Sequence, residues 1–237
     1  MSDSLHPDIP GIDQNVFSAL QSLKELPKIQ KALDIALKQT DQAMTEQVEI
    51  CEIPSPTFHE EKRAEEIARR MKAYGLTDVT IDAIGNVVGV RKGSGNGPVL
   101  VIDAHMDTVF PEGTDVTVRR EGDTYYAPGI GDNTSGVRAL LQLIRCFNEA
   151  DIQTEGDIIF VGTVGEEGNG DIRGAKFICN GDRHIDGYIA IDSFTAGVVV
   201  MGLERINFIW YLKNISLLAL AGYLSGAVVY ILQNLIL

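Results

Sequence analysis

Residues 98–107 read PVLVIDAHMD. Val99, Leu100, Val101 and Ile102 form an unbroken apolar run, which fits a strand buried on both faces. Strands of that kind belong to parallel sheets covered by helices on either side. The run continues into Asp103, Ala104, His105, Met106 and Asp107, so an imidazole and carboxylates arrive at the end of a buried strand. The pattern recurs at 157–164, DIIFVGTV, which leads into Gly165-Glu166-Glu167-Gly168. It recurs again at 187–191, GYIAI, which leads into Asp192-Ser193.

Between these strands the period changes to that of helices. Ser135–Glu149 carries an apolar stripe of Val137, Leu140, Leu141, Ile144 and Phe147. Ile172–Cys179 reads as a shorter helix. Upstream, Glu60–Tyr74 is a helix stopped by Gly75, a residue suited to a helix C-terminus. Gln14–Leu26 and Lys28–Ile50 read as two more, separated by Pro27. Asp78–Asp82 and Asn86–Arg91 read as strands, and Val116–Arg120 with Thr124–Tyr126 as a hairpin. Strands alternating with helices predict an α/β fold: three layers, α/β/α, around a mixed and largely parallel sheet. Residues 1–50 form a helical N-terminal segment of that domain, 51–205 its α/β body, and 206–237 a tail of different character.

Composition narrows the function classes. With 45% hydrophobic and 22% charged residues, the chain is globular and neither fibrous nor disordered. The net charge of −13 removes nucleic acid as a partner, because a basic face would be required. The start, MSDSLHPDIPGIDQNVF, lacks the basic and apolar regions of a signal peptide. Cys51, Cys146 and Cys179 are scattered, which suits a reduced, cytoplasmic compartment.

Ligands of open α/β sheets bind beyond the carboxyl ends of the strands. Four segments meet there: His105 to Asp107, the turn Gly129-Ile130-Gly131-Asp132-Asn133, Glu166-Glu167, and Asp192. Imidazole with carboxylates suits Zn²⁺, Mn²⁺ or Co²⁺ better than an all-oxygen Ca²⁺ site. A pair of metals needs a bridging carboxylate, and a further carboxylate must take the proton from bound water. Each residue also has a plainer reading. His105 alone is most simply structural, Asp107 a turn cap, Asp132 the N-cap of the following helix, and Glu166-Glu167 a solvated loop.

Together, His105-Met-Asp107, Gly129-Ile-Gly-Asp132-Asn-Thr-Ser-Gly136, Glu166-Glu167 and Asp192 resemble the successive motifs of the co-catalytic zinc exopeptidase and deacylase family. That family includes carboxypeptidase G, peptidase T, acetylornithine deacetylase, succinyl-diaminopimelate desuccinylase and the aminoacylases. The resemblance spans about Ile53 to Arg205, and HMDTVFPEGTDV and FVGTVGEEGNGDIRG look closest to peptidase T-like members. It implies two Zn²⁺, with Co²⁺ or Mn²⁺ as substitutes, and hydrolysis of amides in small peptides or N-acyl amino acids. It implies that His105 and Asp192 bind the first metal, Glu167 the second, and that Asp132 bridges them. Asp107 would steady His105, and Glu166 would be the general base. Asn133 stands where many relatives carry an acid.

Past Arg205 the resemblance ends. The family's lid domain, its Gly-Gly-His-Ser segment and its dimer interface find no counterpart, and no histidine follows His184. Instead, residues 206–237 carry one charge, Lys213, and 215–237 carry none. Twenty-three uncharged residues reach the length of a spanning helix, about 20 residues. Trp210, Tyr211 and Lys213 flank them like interface anchors, and Gly222 and Gly226 form G-x-x-x-G. Three readings stand: an apolar product of a truncated or shifted reading frame, a membrane anchor, or a segment folded against the sheet. A non-catalytic or membrane-anchored remnant retaining one metal site is the alternative to an active hydrolase.

Overall fold

The computed structural model describes residues 14–192 and 199–202. The tail reading, residues 206–237, lies outside the described residues.

Three helices open the described chain: α1 (Gln14–Lys24), α2 (Pro27–Lys38) and α3 (Thr40–Cys51). The apolar period runs on from Lys28 to Ile50, but the helix does not. Gln39 leaves helical geometry at φ −97°, ψ 15°, and Thr40 starts a new helix. Then follow α4 (Glu61–Ala73), β1 (Asp78–Ile81), β2 (Val87–Arg91), β3 (Leu100–His105), the hairpin β4 (Arg119–Glu121) and β5 (Thr124–Tyr126), and α5 (Thr134–Glu149). The chain continues through β6 (Ile158–Thr163), α6 (Arg173–Cys179), β7 (Gly187–Ala190) and β8 (Val199–Gly202).

Six strands form one sheet in the order β1-β2-β6-β3-β7-β8. The sheet is mixed. β1 with β2 and β2 with β6 are antiparallel, while β3 runs parallel to both β6 and β7. The parallel part is thus the centre, where the apolar runs occur.

Both faces of that centre are buried, as the unbroken runs require. In β3, Val101 points with Ile159, Val161 and Tyr188 toward the side of α6, where Ala175 and Ile178 cover them. Ile102 and Ala104 point the other way, against Ile67, Met71, Leu140 and Ile144 of α4 and α5. This alternation produces three layers, α/β/α. Val137, Leu140, Leu141 and Ile144 of α5 are fully buried, each contributing roughly 1.5–3 kcal/mol.

The N-terminal helices belong to the same layer, since α2 and α3 pack on α5. Gln142 Nε2 donates to Ala36 O at 2.9 Å, and Arg145 Nη1 pairs with the buried Glu46 at 2.7 Å. Arg63, 1% exposed, donates to Cys51 O, Ile53 O and Met106 O, fastening the end of α3 to the segment after β3. Burial lowers its pKa to about 10, yet it remains cationic at neutral pH.

Register positions the site. Leu100 pairs with Ile158 and His105 with Thr163 in β6, while Asp103 pairs with Ala190 in β7. The three parallel strands therefore finish at nearly one level.

Candidate metal centre

His105 is the last residue of β3 and is 4% exposed. Its Nδ1 lies 3.1 Å from the main-chain oxygen of Asp107. A carbonyl only accepts, so Nδ1 carries a proton, and Nε2 is the nitrogen that can release its own and offer a lone pair. Nε2 faces Asp132 Oδ1 at 3.1 Å and Asp192 Oδ1 at 3.6 Å. Neither His105 Nε2 nor Asp132 Oδ1 has a hydrogen-bond partner, although both atoms are buried. Buried polar atoms without partners are costly, and a shared cation removes the cost.

Asp132 ends the turn that precedes α5. The N-cap of α5 is Asn133, whose side chain accepts from Gly136 N at 3.0 Å. Asn133 Nδ2 also donates to Ile191 O at 2.8 Å, joining the turn to the residue before Asp192. The capping role open to Asp132 in the sequence thus falls to its neighbour, leaving Asp132 turned to His105. The peptide bond between Asp132 and Asn133 is cis.

Glu166 and Glu167 follow β6 after a turn at Gly165, whose φ is +60°. Their amides donate to Asp107 Oδ1 and Oδ2 at 2.9 and 3.1 Å, and Thr57 Oγ1 donates to the same carboxylate at 2.8 Å. Asp107 is fully buried. Burial alone would raise its pKa, but the bonds from His105, both amides and Thr57 hold it down to about 2. Asp107 therefore grips His105 chiefly through its carbonyl, its Oδ1 lying 3.5 Å from Nδ1.

Two groups of donors converge on the imidazole: His105 with Asp132 and Asp192, and His105 with Glu166 and Glu167. Within each group the donor atoms lie within 4.8 Å of one another. All six residues singled out in the sequence are accordingly in one place. Burial and neighbouring carboxylates push Glu166 and Glu167 up, though the nearby His105 opposes this. Burial lowers the His105 pKa, but the bond and charge of Asp107, with Glu166 and Asp192, outweigh it and raise the pKa to about 9. The donor set, one nitrogen and several carboxylate oxygens, fits Zn²⁺ or a similar divalent ion.

A cavity of about 210 Å³ opens beside His105, walled by Val164, Ile172, Ala175, Ala190 and Ile191. At its floor Asp103 accepts from Tyr188 Oη at 2.7 Å and Thr163 Oγ1 at 3.0 Å. Burial raises the Asp103 pKa to about 6.

Sequence reading missed Thr57, the N-cap role of Asn133, and the pair Glu60–Arg173 behind the Glu166 turn. Only Asn133 left a local signal, an Asn three residues before a glycine at a helix start. His59 and His184 are exposed and belong to neither donor group. Cys51 and Cys146 are buried and Cys179 is exposed, and all three are free thiols.

Residues 101–211, which include every one of these donors, match the model of Peptidase family M20/M25/M40. A LysW-lysine/LysW-ornithine hydrolase assigned in Pyrococcus abyssi is 37% identical over 120 residues, 51% of this chain and 32% of that protein. Carboxypeptidase G2 of Pseudomonas sp. strain RS-16 is 36% identical over 84 residues, 35% of this chain and 20% of that one. The chain thus spans about a third or less of the length of these curated relatives. The aminopeptidase PepT of Bacillus cereus ATCC 10987 superposes with a TM-score of 0.53 at 22% identity, over 65% of this chain and 44% of that structure, which shows a shared fold. Over residues 101–211, just under half of its length, the chain is thus similar to Peptidase family M20/M25/M40.

Proposed function

We propose that the chain is the metal-binding part of a hydrolase that cleaves amide bonds in small peptides or N-acyl amino acids. The observation that carries this reading is the pair of donor groups meeting at His105, with its Nε2 and Asp132 Oδ1 buried and unpartnered. His105 and Asp192 would hold one ion, Glu167 would serve a second, and Asp132 would contribute to both. When bound, divalent ions polarise the scissile carbonyl and lower the pKa of water. Zn²⁺ is the first choice for this donor set, with Co²⁺ or Mn²⁺ as substitutes. Glu166 takes the proton from water and passes it to the leaving amine, a task helped by a pKa above the usual carboxylate value. Asp107 holds the imidazole and the Glu166-Glu167 backbone in register. The apolar walls of the cavity beside His105 suit an aliphatic side chain of the substrate.

Three free thiols fit a reduced, cytoplasmic setting. No helix among the described residues is long and apolar enough to cross a membrane. A second reading, a membrane-attached remnant retaining one metal site, is favoured by the 23 uncharged residues 215–237.

The direct experiment is metal analysis of the purified chain, with hydrolysis assays on di- and tripeptides and N-acyl amino acids. Bound zinc and chelator-sensitive release of amino acids support the first reading. Absence of bound metal overturns it. Sedimentation with membranes and resistance to carbonate extraction support attachment, and recovery as monodisperse protein without detergent rejects it.

A further inference from the structure

Glu60 precedes α4 and is 3% exposed. It belongs to neither donor group at His105. Its Oε1 accepts the amide of Gly165 at 3.0 Å. The guanidinium of Arg173, first residue of α6, closes on both Glu60 oxygens at 3.1–3.2 Å. Arg173 also lies over the Phe58 ring, 4.9 Å from its centre.

The next two amides, of Glu166 and Glu167, end on Asp107. Three consecutive amides, 165 to 167, are thus accepted by two buried carboxylates brought from different parts of the chain. Bonds from amides to ionised acceptors are shorter and stronger than neutral ones. Asp107 governs one side of the turn and Glu60 the other. The fit is close: a Cβ on Gly165 would meet Arg173 Nη1 at 1.9 Å, at a φ of +60° that already disfavours other residues.

We propose that Glu60 is a positioning residue for the Glu166-Glu167 pair. Through the Gly165 amide, and with Arg173 locking its carboxylate, it holds the turn so that both glutamates reach the neighbourhood of His105. The inference rests on the metal-hydrolase reading above. A buried ion pair that only stabilises the fold would make the same contacts, so the experiment must separate local positioning from global stability.

Two measurements do so on the full chain: amide hydrogen exchange without metal, and titration with Co²⁺, whose visible spectrum reports its ligands. Glu60→Ala is expected to speed exchange at 165–167 at least about tenfold while β3 and β6 keep wild-type rates, and to weaken Co²⁺ binding about 10–100-fold, as loss of groups behind metal ligands does. Glu60→Gln keeps an acceptor for the Gly165 amide and should stay nearer wild type in both. If Glu60→Ala does not fold, Glu60→Asp takes its place, its carboxylate falling one methylene short of the amide and giving the same local changes. Exchange that rises evenly across β3, β6 and α4 with Co²⁺ affinity unchanged would overturn the proposal. A wild-type chain that binds no Co²⁺ would overturn the hydrolase reading instead, and the exchange arm would still decide whether Glu60 holds the turn.

Discussion

The carboxylate of Asp107 accepts the main-chain amides of both Glu166 and Glu167, at 2.9 and 3.1 Å. An aspartate two residues after the metal-type histidine thus organises a glutamate pair some 60 residues later. With Thr57 as a third donor, every strong bond to this carboxylate requires its charge and its acceptor oxygens. Asp107→Asn turns an NH₂ group toward N–H donors. The expected loss is about 1–3 kcal/mol, the cost of leaving buried donors unmet. Urea unfolding of the metal-free chain should show a lower midpoint with an unchanged slope. An unchanged midpoint would mean that the carboxylate is not a keystone of this turn.

The glutamate pair is expected to divide its tasks. Both carboxylates belong to the group around His105, but only one is free to act on water if the other is a ligand. Glu166→Gln should keep metal content and lower turnover by about 10²–10⁴-fold wherever turnover is measurable, because the base is lost while the ligands stay. Glu167→Ala should lower metal content measured with zinc kept in the buffer, where the second ion is still held. Metal analysis of both variants checks this, and equal metal loss in both would show the roles to be wrongly divided.

Metal affinity should depend steeply on pH. His105 must give up its proton from Nε2 before it can bind. Burial works against the proton, but the bond and charge of Asp107, with Glu166 and Asp192, hold it until a pKa of about 9. Below that value proton and metal compete for Nε2, so affinity rises about tenfold per pH unit and levels off above it. Chelator competition at pH 6, 7 and 8 tests the slope. A flat profile across those three would contradict the protonated state of the metal-free site.

The fold and site were unequally legible in the sequence. The central strands announced themselves, because burial on both faces demands unbroken apolar runs such as Val99–Ile102 and Ile158–Val161. Parallel register then brought His105, Glu166 and Asp192 to one edge, where the turn before α5 adds Asp132. The break at Gln39 was hidden because the apolar period continues through it. The N-cap reading fell on Asp132, whereas the structure gives the role to Asn133, since both residue types cap well and only geometry separates them. Hardest to see were the bonds from Asp107 to the Glu166 and Glu167 amides and from Glu60 to Gly165. Their partners lie 59, 60 and 105 positions apart and, being main-chain donors, leave no mark on residue identity.

Stoichiometry is the last expectation. Both donor groups among the described residues draw on the same imidazole, that of His105. One side of it is committed to the Asp107 carbonyl, leaving a single lone pair at Nε2. That lone pair lies nearest Asp132 and Asp192, at 3.1 and 3.6 Å, so His105, Asp132 and Asp192 make the better group: one nitrogen, two carboxylates and an open position. Glu167 is left with carboxylates for company, and carboxylates alone hold zinc less firmly than a group with imidazole. The 237-residue chain should therefore retain about one zinc through dialysis and lose the second. With a single ion, water activation and carbonyl polarisation no longer come from separate ions, and hydrolysis of di- and tripeptides should be very slow. Elemental analysis after dialysis, paired with the peptide assays, decides the matter. Two tightly held metals with turnover of about 1–1000 per second would overturn this expectation.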